Sequence, residues 1–110
     1  MERFPGYDQY EIELKNALAA RKAGNEGKAR VCARRAAGII VGEHFSRQGI
    51  QLTDRSAYDR IKYLLSMENI TDEVRETAQH FLIRVTPEQK LPIQADLIAD
   101  AKWMETTLLR

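Results

Sequence analysis

A single cysteine, Cys32, excludes an internal disulfide and suits a reducing compartment. Among Ala29, Ala33 and Ala36 it reads as a small hydrophobe in a packed interface. With one cysteine and two histidines, an all-protein zinc site is nearly excluded, and no metal is expected. Nor is there a Gly-rich phosphate loop, a Cys-x-x-Cys pair or a Gly-x-Ser-x-Gly elbow, and no cofactor is implied. Long apolar runs are missing too. The longest is Ile39–Ile40–Val41, too short to span a bilayer, and Met1 to Tyr10 shows neither the basic nor the apolar region of a signal peptide. These absences together lead to the expectation of a soluble cytoplasmic protein. Charge of one sign is also lacking: 17 Lys and Arg face 16 Asp and Glu, for a net +1.

What is present is the composition of a globular protein, 44% hydrophobic and 30% charged over 110 residues, the size of one ordinary domain spanning 1–110. Sustained two-residue alternation is absent, and apolar residues recur at three- and four-residue spacing. The expected fold class is therefore all-α, an up-and-down bundle of four to five antiparallel helices.

Helix punctuation divides the chain. Asp8 is placed to cap a first helix with the stripe Tyr10, Leu14, Ala17 and Leu18, ended by Gly24, Asn25 and Gly27. A second helix is expected from about Lys28 to Gln48, stopping at Gly49. Its alanines and its glycines Gly38 and Gly42 mark it as the central helix, closely approached by neighbours. Thr53 or Ser56 caps a third, with Tyr58, Ile61, Leu64 and Leu65 inward and Asn69 closing it. Thr71 caps a fourth, whose stripe is Val74, Ala78, Phe81 and Val85, ended by Thr86–Pro87. Pro92 opens a fifth, with Ile93, Leu97, Ala101, Met104 and Leu108 on one face and Ile98 and Trp103 off it. That apolar set is wider than one core-facing stripe requires, which leads to the expectation of a homodimer. Tyr10 and Tyr58 read as core residues; Tyr63 and Trp103 read as partner-facing.

The stretch from Leu14 to Gly49, LKNALAARKAGNEGKARVCARRAAGIIVGEHFSRQG, is an alanine-rich helix, a glycine turn and an Arg-Arg-Ala-Ala helix ending in an apolar run. It resembles the opening hairpin of HEPN domains, small helical bundles of bacterial and archaeal toxins and nucleotidyltransferase-associated proteins. Tetratricopeptide hairpins have similar small-residue spacing, but no second copy follows at a fixed period. Arg75-Glu76-Thr77-Ala78-Gln79-His80 fits that family's arginine–histidine pattern, although Glu76 stands where the family usually has a small polar residue. The resemblance implies a dimer associated with RNA or a nucleotide, and a metal-independent ribonuclease in which His80 moves the proton and Arg75 offsets phosphate charge. On a regular helix the two would lie about 140° apart.

Independently of the resemblance, Lys28, Arg30, Arg34 and Arg35 concentrate positive charge on the second helix, where they could meet phosphates. The alternative function is a non-catalytic module that docks a partner protein, or a second copy, through apolar helix faces.

Overall fold

The computed structural model describes residues 3–83 and 95–110. It is an all-α bundle of five helices, α1 (Tyr7–Lys22), α2 (Glu26–Ser46), α3 (Ala57–Leu65), α4 (Asp72–His80) and α5 (Leu97–Leu109), with no strand among the described residues. The expected Val85, Thr86, Pro87, Pro92 and Ile93 positions lie outside those residues. None of the helices is long and apolar enough to cross a membrane.

The central helix is α2, which packs on α1, α5 and α3, as its small residues predict. Ala33, Ala36, Ala37, Ile40 and Val41 are fully buried along it, and Cys32 is buried among them. Gly38 is the closest approach: a Cβ built there would lie 2.5 Å from the Ala57 Cβ and 2.7 Å from its Cα. Gly42 differs from expectation. Its open side is filled by a side chain, the Arg60 guanidinium, and not by a helix backbone.

Several boundaries move for local reasons. The N-cap of α1 is Gly6 at φ +87°, with no side-chain cap, and Asp8 is an exposed first-turn residue. Phe4 and Tyr7 meet edge to face with Tyr10 tilted against both, and this cluster starts the helix earlier than a polar cap would. Leu18 is exposed, because the inward face turns through Leu14, Ala17 and Ala20. Asn25 caps α2 by accepting from the Lys28 amide, so the helix begins at Glu26. Ser56 caps α3, which ends at Leu65, short of Asn69. Thr71 caps α4 as expected. Asp96 caps α5 by accepting from the amides of Ile98 and Ala99, and Arg21 at the end of α1 reaches the same carboxylate at 3.1 Å.

Four of the apolar residues of α5 are buried within one chain. Leu97, Ile98, Ala101 and Met104 are all buried, because α5 touches α2, α4 and α1. Trp103 stays 37% exposed. Tyr58, expected inside, is 38% exposed. Tyr63, expected to face a partner, instead packs edge-on against Phe45 at 4.9 Å with Arg55 over its ring.

Candidate functional site

Arg75 and His80 are held by different neighbours. Arg75 reaches back to the end of α3, where its Nη1 donates to the Leu65 carbonyl and its Nη2 to the Met67 carbonyl, both at 3.0 Å. Those carbonyls have no partner within the helix, so the guanidinium acts as a C-terminal cap. His80, in the last turn of α4, turns toward α5, with its Nδ1 3.0 Å from Asp100 Oδ2. A carboxylate on one ring nitrogen fixes the tautomer and leaves Nε2 as the nitrogen that can accept a proton. Through these two carbonyl bonds Arg75 contributes to the fold itself.

The basic residues of α2 divide by helix geometry. Lys28 and Arg35 are seven apart and share a face, whereas Arg30 and Arg34 lie about 200–240° round the helix from Lys28. Lys28 and Arg35 are exposed; Arg30 and Arg34 are half-buried. One continuous phosphate-binding face from Lys28 to Arg35 is therefore not formed.

Arg35 instead meets two arginines that sequence reasoning missed. A cleft of about 270 Å³ between α2 and the start of α3 is lined by Arg35, Arg55 and Arg60, with Glu13 of α1 the one carboxylate on its wall. The close contact of Gly38 with Ala57 sets its floor and brings the two segments together. Arg60 is anchored there by two main-chain bonds, Nε to the Leu52 carbonyl at 3.0 Å and Nη1 to the Gly38 carbonyl at 3.2 Å. Burial pushes its pKa below the usual guanidinium value. A guanidinium nonetheless keeps its charge at neutral pH. Arg35, Arg55 and Arg60 make no ion pair with any described residue. No sequence signal joins Arg60 to α2, because its Gly38 bond spans 22 positions and depends on the helix approach.

His44 lies in the last turn of α2. It is half-buried, its Nε2 lies 3.1 Å from the Gln48 side-chain nitrogen, and burial lowers its pKa against an opposing pull from the Leu108 backbone. It lines a second pocket of about 240 Å³ with Phe45, Met67 and Val74. No group of three or more His, Cys, Asp or Glu suited to a metal occurs among the described residues.

No protein-family model, no curated protein and no solved structure matches the chain. The HEPN resemblance accordingly rests on the Leu14 to Gly49 hairpin and the Arg75 and His80 spacing alone.

Proposed function

We propose that this chain is a HEPN-like, RNA- or nucleotide-associated helical module that works as a homodimer and binds phosphate through the arginine cleft. The observation that carries this reading is the convergence of Arg35, Arg55 and Arg60 on one cleft without ion-pair partners among the described residues. Guanidinium groups match phosphate oxygens in both charge and geometry. Arg60, fixed by two carbonyls, is already oriented, while Arg35 and Arg55 are exposed at the rim, Arg55 lying over the Tyr63 ring. The homodimer is carried over from the HEPN resemblance; Ile12, Leu18, Tyr58 and Trp103 are exposed large apolar side chains among the described residues that a second copy would have to cover for it to hold.

The test is fluorescence anisotropy with labelled single-stranded RNA over a range of salt. Arg35→Ala with Arg55→Ala should weaken binding and flatten the salt dependence by about one unit of slope for each phosphate no longer engaged. Lys102→Ala, on an exposed part of α5, is the control. RNA affinity indifferent to the double substitution would remove the reading and leave a protein-docking module. Light scattering tests the dimer separately, and a monomer at tens of micromolar would count against it.

A second reading, a metal-independent ribonuclease, is favoured by one observation, the His80–Asp100 pair. In that reaction His80 Nε2 would take the 2′-hydroxyl proton as the 2′-oxygen attacks phosphorus, the P–O5′ bond breaks to leave a 2′,3′-cyclic phosphate, and the departing 5′-oxygen takes a proton from water. Arg75, engaged with two carbonyls, would have to leave them to reach a phosphate. RNA cleavage in EDTA decides: if the reading holds, His80→Ala should lower the rate about 10²–10⁴-fold. Equal cleavage by both chains, or none by either, leaves binding without catalysis.

A further inference from the structure

Two cavities among the described residues are lined by three arginines each, and they differ in what those arginines already meet. Between the N-terminal segment and the end of α5, a cavity of about 400 Å³ is lined by Arg3, Arg47 and Arg110 together with Glu105. There Arg47 pairs with Glu43 at 3.0 Å, Arg110 pairs with Glu105 at 2.8 Å, and Arg3 lies 3.9 Å from Asp8. In the cleft between α2 and the start of α3, Arg35, Arg55 and Arg60 form no ion pair with any described residue. The second set is the one left to an outside anion.

Charge narrows the kind of anion. Three guanidiniums against one carboxylate, Glu13, leave the cleft lining at +2. Arg60 carries the charge that is hardest to leave unmatched, because it is partly withdrawn from water and that burial pushes its pKa down. A guanidinium has five N–H groups. Arg60 uses two of them on the Leu52 and Gly38 carbonyls, which hold it in place, and the others are bonded to no described residue. An internal phosphodiester would bring one negative charge to this lining. A phosphomonoester brings about −1.5 to −2 at neutral pH, and three oxygens that can accept those donors.

Size and lining point the same way. The cleft holds about 270 Å³, below the roughly 300 Å³ at which pockets for whole small ligands begin, so it takes the end of a ligand and leaves the rest outside. Its lining includes no aromatic ring, and Ile39 is its one large aliphatic side chain. A base finds no stacking platform there, so recognition in the cleft falls on the phosphate.

We infer that the cleft takes a terminal phosphomonoester, at the end of an RNA strand or on a nucleotide, in preference to the phosphodiesters within a strand. Arg60 supplies the fixed donors, Arg35 and Arg55 supply the surrounding charge, and sugar and base stay outside. The inference rests on the RNA or nucleotide reading of this same cleft and names the group that it recognises.

The experiment is calorimetric titration of the full chain, at one fixed salt concentration, with a short single-stranded RNA in three forms. One carries a 5′-phosphate, one a 3′-phosphate, and one hydroxyls at both ends. At least one phosphorylated form should bind about tenfold tighter or more than the hydroxyl form, equivalent to about 1.4 kcal/mol. Adenosine 5′-monophosphate separates the two sources: affinity equal to the strand's assigns the site to nucleotides, and weaker affinity assigns it to RNA ends. Arg35→Ala with Arg55→Ala should abolish the preference, while Arg3→Ala, in the other cavity, should leave it unchanged. Lowering the pH from 7.5 to 5.5 should shrink the preference several-fold, since a phosphomonoester gains its second proton near pH 6. The charged groups that line the cleft are Glu13 from α1, Arg35 from α2, and Arg55 and Arg60 beside them, with no histidine, and the hydroxyl strand gives the baseline at each pH. If the three strands bind equally, the RNA reading stands and the inference alone is overturned. If neither the strands nor the nucleotide binds, both fall. Tighter binding of a phosphoserine peptide than of any strand would also overturn the inference.

Discussion

In the α1–α2 hairpin most of the buried residues are small, whereas α3 and α4 add to a few buried apolar side chains arginines that reach main-chain carbonyls. Small residues such as Ala17, Ala20, Ala33, Ala36 and Ala37 let two long helices approach until their backbones set the spacing. Helices α3 and α4 have nine residues each, too short to persist in water unaided. They bury few residues of their own, Ile61 and Leu64 in one and Val74 and Ala78 in the other. Their positions are completed by side-chain caps, Ser56 and Thr71 at their starts and Arg75 across the end of α3. The hairpin is thus held by close fit of small residues, and the short helices by a few buried apolar side chains supplemented by directed hydrogen bonds.

Overpacking should damage the first region most. Gly38→Val places a branched side chain into the Ala57 backbone and should destabilise by about 3 kcal/mol, the upper end for overpacked sites, measured by urea unfolding. Gly42→Ala is the counterpart. The Arg60 guanidinium must shift and strain its Nη1 bond to the Gly38 carbonyl, while alanine's helix propensity returns about 1 kcal/mol, so a smaller loss than at Gly38 is expected. Equal destabilisation at the two glycines would show that the flexible neighbour does not yield.

Ala36→Leu should follow, at about 1–3 kcal/mol, since Ala36 is fully buried where the core is closely packed. An unchanged melting temperature would mean that the hairpin spacing is adjustable.

In the second region Arg75→Ala leaves two carbonyls without their guanidinium, at an expected cost of about 1–2 kcal/mol by thermal melting. Arg75→Lys should not restore it, because an ammonium cannot bridge both oxygens in the same fork. Full rescue by lysine would reduce the role to charge alone. Thr71→Ala removes the cap of α4 and should take away about 1 kcal/mol, reported by hydrogen exchange across Val74 and its neighbours.

The smallest effect is pH-dependent. Burial alone would raise the Asp96 pKa, but the Ala99 and Ile98 amides and the Arg21 guanidinium hold it below its ordinary 3.8. A depressed carboxyl contributes stability above its unfolded pKa and loses it as pH falls through the folded one. The α5 cap should therefore weaken below about pH 4, by less than about 1 kcal/mol given the exposure of the pair. Asp96→Asn, compared with the unaltered chain from pH 7 to pH 3, should lose that dependence, and parallel curves would show that Asp96 is not the group responsible.

The fold class was legible because helical periodicity and polar caps act over a few residues. Thr71, Ser56 and the inward Val74 and Ala78 appear where spacing places them. The start of α1 was not legible, since the Phe4, Tyr7 and Tyr10 ring cluster, and not a polar cap, begins it. The candidate cleft was one-third visible. Arg35 stood in a basic run, but Arg55 and Arg60 join it only through the approach of α3 to α2 at Gly38. Glu105 carried no signal at all, because a carboxylate beside a buried methionine reads as an exposed helix residue until its surroundings are known.

By itself the sequence determined the all-α class, the small-residue character of the central helix and most of its punctuation, since those follow from backbone propensity and short-range spacing. Tertiary structure alone decided that Arg75 closes a helix end, that His80 meets Asp100, and that three arginines share one cleft. A long charged side chain can reach many partners from one position, and only the packing of whole helices selects which of them lies within hydrogen-bond distance.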